Sequence, residues 1–416
     1  MLFRTVLFSL LILALDYYVF QAFRFSLRNS SENVQRITTV IFWSITVFCI
    51  GVVLAGAFLH WNDWPKALKT YAGAFVFVVT FSKLFVLLFL LTDDIFRGGR
   101  WVYERYFNKP TDADSLTGVT ISRSDFLVRT GLVLGALPFV SLIYGMVRGA
   151  YDYQVKKVIL KLPGLPSSFS GFKLVHISDL HVGSFVSTAP LEEAVKIINE
   201  LKADAIVFTG DLVNNRSDEL DEHKPALSRL KAQHGIFSTL GNHDYGDYVR
   251  WDSDEAKTEN LQRLIEGHRE MGWDVLLDEH RHIEKNGEKI TIIGVQNYSM
   301  HLRFPKYGSL EKATRDIDYS AFNILLSHDP SHWRGEVLKA YPDIHLTLAG
   351  HTHGFQFGVE MPFFKWSPVQ YVYKEWAGLY TEAQQHLYVN RGLGFLGYPG
   401  RVGILPEITM FELEQA

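Results

Sequence analysis

The chain has 416 residues, long enough for a sizeable core and two to three domains. Its charge is divided: up to Ala150 there are 14 Lys/Arg against 9 Asp/Glu, and beyond it 27 against 36. Neither part carries a basic stripe with interleaved aromatics, so no nucleic-acid partner is expected; the single cysteine, Cys49, excludes a disulfide framework and a thiolate metal site within one chain.

Four apolar stretches come first, at residues 3–20, 38–60, 71–91 and 126–146. Each nears or exceeds the ~18–20 apolar residues that cross hydrocarbon. The first has the look of a signal peptide, but no small-x-small cleavage site follows it and Asp16-Tyr17-Tyr18 is a poor cleavage region. Residues 1–150 therefore read as a bundle of about four transmembrane helices. Loops one and three hold Arg24, Arg28, Arg36, Arg97, Arg100, Arg105, Lys109 and Arg123; the opposite side holds Arg4, Lys66, Lys69, Arg148, Lys156 and Lys157. The positive-inside bias then puts the C-terminal part on the extracytoplasmic side. Asp16 and Arg129 are expected to snorkel from span ends, and Lys83 to pair across the bundle. No Gly/Pro-broken helix pair points to a transporter, so the spans read as an anchor.

Residues 151–171 read as a linker, strand-like over 154–162 and turn-rich over 163–168. From residue 172 to 416 strands and helices alternate. Strands are predicted at 173–177, 205–209, 236–240, 289–295, 322–326 and 344–348, with helices at 191–201, 224–233 and 255–271. Late strands at 387–390 and 407–413 are expected to close a second sheet. The pattern is that of a layered α/β domain with helices over its sheets.

Five islands stand at or near the ends of these strands: Asp179-Leu180-His181, Gly210-Asp211, Gly241-Asn242-His243-Asp244, Ser327-His328 and Gly350-His351-Thr352-His353. The carboxyl ends of neighbouring strands in an α/β sheet converge on one crevice. Asp179 and His181, two apart in extended chain, can reach one cation. Gly210 lets the backbone turn ahead of Asp211, whose two oxygens can bridge two cations. Asn242 offers an amide oxygen, and His328, His351 and His353 complete the supply. Seven ligands with one shared carboxylate give four contacts per metal and leave room for a shared hydroxide and substrate oxygens, the arrangement of a two-metal hydrolase with metals ~3.5–4 Å apart. Oxygen and nitrogen donors of this kind accept Mn, Fe, Zn, Ni or Co. Taken alone, His328 reads as a core histidine and Asp179-Leu180-His181 as a surface pair. Their conjunction is what points to metal.

The order D-x-H, G-D, G-N-H-D, H, G-H-x-H resembles the calcineurin-like metallophosphoesterase superfamily from about residue 172 onward. The resemblance implies a four-layer αββα sandwich and a binuclear centre. One cation would take Asp179, His181, Asp211 and His353, the other Asp211, Asn242, His328 and His351. It also implies that His243 faces the phosphate and protonates the leaving oxygen, with Asp244 orienting and charging its imidazole. One departure stands out. Many relatives continue the second motif as G-D-x-x-D-R, whereas here it runs Gly210-Asp211-Leu212-Val213-Asn214-Asn215. The arginine that contacts phosphate in the protein Ser/Thr phosphatase branch is absent at that place, which argues against a protein substrate. Arg391 is a candidate substrate-binding substitute, its other reading being structural. Residues 388–411 also resemble the ending of membrane-attached bacterial members, some similar to UDP-diacylglucosamine pyrophosphatase.

Phe355, Phe357, Phe363, Phe364, Trp366, Tyr371, Tyr373, Trp376 and Tyr380, interleaved with Lys365 and Lys374, suit either a hairpin packed on the sheet or a membrane-interface surface. The expected protein is thus a membrane-anchored, two-metal phosphoesterase. It would cleave a phosphodiester or pyrophosphate of a lipid or sugar nucleotide by attack of the shared hydroxide. A phosphomonoesterase is the alternative. A catalytically idle membrane scaffold is the reading from another class, set back by the presence of every ligand.

Overall fold

The computed structural model describes residues 2–59, 61, 64–107, 123–317 and 321–416, so His60 and Lys109 lie outside the described residues. Two compact units result, Met1–Tyr144 and Gly145–Ala416.

The first unit is built on α1 (Leu2–Ser26), α2 (Glu32–Phe58), α3 (Lys66–Tyr106) and α4 (Arg123–Val147). Each contains an apolar window long enough to cross a membrane, as expected from sequence. Val19 and Phe20 of α1, Phe42 of α2, Val86 and Leu90 of α3 and Val128 of α4 form a shared interior. Arg97, Arg100 and Arg105, expected in a loop, lie instead on the 41-residue α3. Ion pairs at helical spacing support this extension: Arg100 meets Glu104 at 2.6 Å and Arg97 meets Asp94 at 3.6 Å. Asp16 does not snorkel. Its carboxylate is buried, lies 2.7 Å from Lys83 Nζ and accepts the Thr46 hydroxyl, so the two opposite charges meet inside the bundle. Arg129 is exposed.

The second unit runs, in chain order, through β1 (Gln154–Leu162), β2 (Phe172–Ile177), α5 (Ala189–Glu200), β3 (Ala205–Phe208), α6 (Lys224–Leu227), β4 (Ile236–Ser238) and α7 (Asp254–Glu270). It continues with β5 (Trp273–Val275), β6 (Glu279–Lys285), β7 (Glu288–Gly294), β8 (Phe322–Leu326) and β9 (Ile344–Ala349). Then come β10 (Val359–Met361), β11 (Phe364–Trp366), β12 (Gly378–Glu382), β13 (Gln385–Val389) and β14 (Glu407–Gln415). One six-stranded sheet has the order β1-β14-β2-β3-β4-β5 and the other β12-β13-β9-β8-β7-β6.

Strand alternation makes the layers. Phe172, Leu174, Ala205 and Val207 point between the sheets, where they meet Ile290, Ile292, Ile324, Leu346 and Leu348. Each fully buried Leu, Ile or Phe stabilises this interior by roughly 1.5–3 kcal/mol. Val175, Ile177, Ile206 and Phe208 face outward onto Leu191, Ala194, Val195 and Ile198, the helical stripe of α5. Leu310, Trp333 and Val337 cover the far face of the second sheet. The result is the expected α/β sandwich of four layers.

Three expectations change. The strand at 407–413 belongs to the first sheet, not the second: β14 lies antiparallel to β2 and parallel to β1. It does so because Phe411 and Leu413 fill the space between the sheets while Ile408 and Met410 reach the outer layer. Gln154–Leu162, read as part of a linker, is the edge strand β1, anchored through Leu160 and Leu162. The helix expected over 224–233 stops after one turn, because Asn199 captures the backbone beyond it through Arg229 O (2.8 Å) and Lys231 N–H (2.9 Å).

Candidate metal centre

The strands β2, β3 and β4 are parallel in one sheet, as are β7, β8 and β9 in the other. The islands leave from their carboxyl ends. Immediately past the strands the chain doubles back: Asp179, His181, Asp211, His351 and His353 have φ of 51°, 46°, 59°, 71° and 50°. Left-handed backbone costs an L-residue about 1–2 kcal/mol, so five such positions at one spot require support. Backbone bonds between islands supply part of it, with Asp179 N–H on Gly210 O at 3.0 Å and His181 N–H on Asp211 O at 3.1 Å. Gly210, at φ 94°, lies so close to Gly241 that a side chain there would collide with backbone.

Two donor groups form. Asp179, His181 and His353 make one; Asp211, His328 and His351 make the other, each with its ligand atoms within 4.8 Å of one another. Asn242 joins the second through Oδ1, 3.1 Å from His328 Nε2. Asp211 Oδ2 lies 3.5 Å from His181 Nε2 and 3.2 Å from His328 Nε2, so a single oxygen faces both groups. Its Oδ1 accepts the His243 N–H at 2.8 Å.

The tautomers follow from the outer contacts. His328 Nδ1–H donates to Thr209 O at 2.7 Å, leaving Nε2 with a lone pair toward the site. Tyr373 donates to buried Asp329 at 3.1 Å and accepts from His351 Nε2 at 2.8 Å, which leaves the His351 Nδ1 lone pair facing His328 Nε2 at 3.1 Å. His181 Nε2 and His353 Nε2 also face each other at 3.1 Å. Nitrogen lone pairs converging this closely, with carboxylates beside them, need a proton or a cation between them. The donor set therefore fits divalent cations.

The charges agree. Burial would raise the Asp179 carboxyl, but the His353 imidazole beside it holds it well below the usual range. Asp211 is likewise held down against burial, by His328 foremost. Burial lowers His181 to about 3 and His351 to about 4, which favours neutral, ligand-ready imidazoles. His328 is the exception: burial would lower it, yet Asp211 pushes it up to about 10. In the metal-free chain a proton on His328 stands where a cation would balance Asp211.

His243 lies beside the donors, its ring 5.0 Å from that of His181, with Nδ1–H donated to Asn214 O at 2.7 Å. Here the expectation for Asp244 fails. Its carboxylate is fully buried and accepts four backbone N–H groups, of Asp211, Leu212, Val213 and Gly241, at 2.8–3.2 Å. It ties two islands together, and a carbonyl rather than a carboxylate orients His243. Burial, followed by Asp211, pushes the Asp244 carboxyl up to about 7.

Arg391 also departs from expectation. It is buried and paired with Glu407 at 2.5 Å and Glu360 at 2.7 Å, and so committed to structure. Glu407 further accepts Tyr388 O–H at 2.6 Å. Burial would raise the Glu407 carboxyl, but Arg391 holds it low. A depressed carboxyl contributes stability that is full above its unfolded pKa, about 4.3, and is lost as pH falls through the folded value. Glu407→Gln should thus cost up to about 3–5 kcal/mol near neutrality, by leaving the buried Arg391 guanidinium with Glu360 as its remaining carboxylate. In thermal melts the gap between the variant and wild type should narrow as the pH drops below that point; a gap independent of pH would refute the ion pair's role.

Sequence reading missed Asp329, Tyr373 and Arg401. Asp329 was findable, since it follows the fourth island directly. Arg401 is buried and reaches His353 Nδ1 at 3.2 Å while donating to Arg391 O at 2.8 Å, bracing the late loop behind a ligand. His176 is buried in the strand with Nε2 2.9 Å from Thr209 Oγ1, a core position. The aromatic segment divides: Tyr373 and Trp376 are buried together, whereas Phe355, Phe363, Phe364 and Tyr371 are exposed.

Known proteins share this layout. A family model described as calcineurin-like phosphoesterase matches residues 172–355, and one described as the transmembrane domain of a probable calcineurin-like phosphoesterase matches residues 2–150. An uncharacterized metallophosphoesterase of Bacillus subtilis, YkuE, is 33% identical over 283 residues, covering 65% of this chain and 90% of that protein. A transmembrane protein with metallophosphoesterase domain from Danio rerio is 31% identical over 281 residues, 66% of this chain and 60% of the relative. Its Bos taurus counterpart is 30% identical over 280 residues, with the same two shares. The chain spans about 60% of the length of these two vertebrate relatives.

Proposed function

Because the chain belongs to the calcineurin-like metallophosphoesterases, we propose that it hydrolyses a phosphodiester or pyrophosphate bond at a two-metal centre borne by a membrane-anchored domain. The anchor is residues 1–150 and the catalytic domain 172–416, which takes in Gln154–Leu162 of the preceding segment as the edge strand β1. The observation that carries this is Asp211 Oδ2, an oxygen that faces both donor groups. Asp179, His181, Asp211 and His353 would hold one cation; Asp211, Asn242, His328 and His351 would hold the other. Two divalent cations so held supply Lewis acidity toward phosphate oxygens and an activated water.

The chain's own residues do the rest. The Nδ1–H of His243 is fixed on Asn214 O, so Nε2 is the nitrogen that delivers a proton to the leaving oxygen. Asp244 keeps the loops of Asp211 and His243 in register. The absent arginine at Asn215, the membrane spans and the exposed aromatics support a lipid or sugar-nucleotide substrate over a protein one. The loop charges support an extracytoplasmic catalytic domain. Elemental analysis of purified protein, joined to a screen of phosphomonoesters, phosphodiesters and lipid pyrophosphates, tests the reading. Two metal equivalents and a preference for diesters or pyrophosphates are expected. A preference for monoesters would make it a phosphomonoesterase, and two bound metals without turnover would make it a scaffold.

A further inference from the structure

Residues 297–308 form a closed loop. Asn297 O accepts the N–H of Tyr307 at 2.9 Å and of Gly308 at 3.1 Å, and Asn297 Nδ2 donates to Pro305 O at 2.9 Å. Loops whose ends meet in this way are compact and often functional. This one is pinned at both flanks: Tyr307 stacks on Tyr245 at 3.7 Å, and Met300 N–H donates to Ser331 Oγ at 3.0 Å. The stretch between lies against the second donor group, with the Phe304 ring edge-on to His351 at 4.8 Å and the His301 ring 4.6 Å from that of Tyr373.

Arg303 occupies this stretch. Its guanidinium sits 4.6 Å from the Phe304 ring centroid and is near enough to Tyr373 and Tyr248 for its charge to be felt at both. Both tyrosines touch metal donors: Tyr373 bonds His351 Nε2 at 2.8 Å, and Tyr248 accepts from Asn242 Nδ2 at 2.8 Å. Among the described residues no carboxylate pairs with Arg303, and its side chain is exposed. Its planar fork of N–H donors is thus open to an anion. An arginine serving only solubility would have no reason to be placed over a ring and beside two tyrosines that touch metal donors.

We propose that Arg303 binds the non-bridging oxygens of the substrate's phosphate, taking the place of the arginine absent at Asn215. This rests on the phosphoesterase reading above and names its anion-binding residue. A guanidinium suits the task because two parallel N–H groups match two phosphate oxygens. Stacking on Phe304 fixes the plane before substrate arrives.

The test compares metal-loaded full-length protein with Arg303→Ala and Arg303→Lys. Three quantities are read: metal content, turnover of bis(p-nitrophenyl) phosphate and calorimetric binding of inorganic phosphate. Arg303→Ala should keep both metals, lower kcat/KM about 10²-fold and weaken phosphate binding about 10-fold or more; Arg303→Lys should recover part of each. Unchanged phosphate affinity in Arg303→Ala overturns the proposal, and so does a loss that tracks loss of metal. If wild type leaves the diester intact yet binds phosphate in an Arg303-dependent way, the diesterase reading fails and this one stands.

Discussion

Asp211→Asn should lose metal and turnover together, by roughly 10³-fold in kcat if the residual protein retains one cation. The Asp211 Oδ2 oxygen faces both donor groups, at 3.5 Å from His181 Nε2 and 3.2 Å from His328 Nε2. The amide keeps the shape, but it carries no charge. Two cations held by these groups would repel each other, and the Asp211 carboxylate facing both would offset that repulsion. Elemental analysis should therefore find less than two equivalents. An inactive Asp211→Asn with both metals in place would remove the bridging role and leave the residue needing another explanation.

His243→Ala should separate chemistry from binding. Both metals should remain, because His243 is not one of the atoms in either donor group. Turnover should fall by about 10²–10⁴-fold for an alkoxide-type leaving group, the usual contribution of a positioned general acid. A nitrophenolate departs without protonation, so the same variant should lose far less on an aryl ester. An equal loss on both substrates would show that His243 does something other than supply a proton. The Asn214 carbonyl on Nδ1 gives this prediction its sharpness, since only Nε2 is left to carry the transferred proton.

The donor set was legible because each island is local. A β-branched run announces a strand, a glycine announces the turn, and the ligand types stand within a few residues. Contacts joining distant segments were not legible. Nothing near Asp244 in sequence says that it will accept N–H groups from residues 211–213. Arg391 looked available until Glu407 and Glu360, brought in by β14 and β10, enclosed it. Strand β6 was missed because Glu279–Lys285 is almost wholly polar, as an edge strand is free to be when its far side meets solvent. The late strand β14 was placed in the wrong sheet because alternation gives a face and a period but not a neighbour.

The position of β14 has a consequence in time. It pairs with β1 from Gln154↔Glu407 to Leu162↔Gln415 and with β2 from Thr409↔His176 to Leu413↔Phe172, so the place between these two strands is filled by one made long after both. During synthesis the membrane helices emerge first. The nascent domain then waits with β1 unpaired and one edge of β2 open, Leu160, Leu162, Phe172 and Leu174 lacking their final cover. Open edges of this kind invite strand addition from other chains. A ribosome that stops short of Glu407 leaves such a seam permanently exposed, which makes the arrival of β14 the step that closes it against other chains.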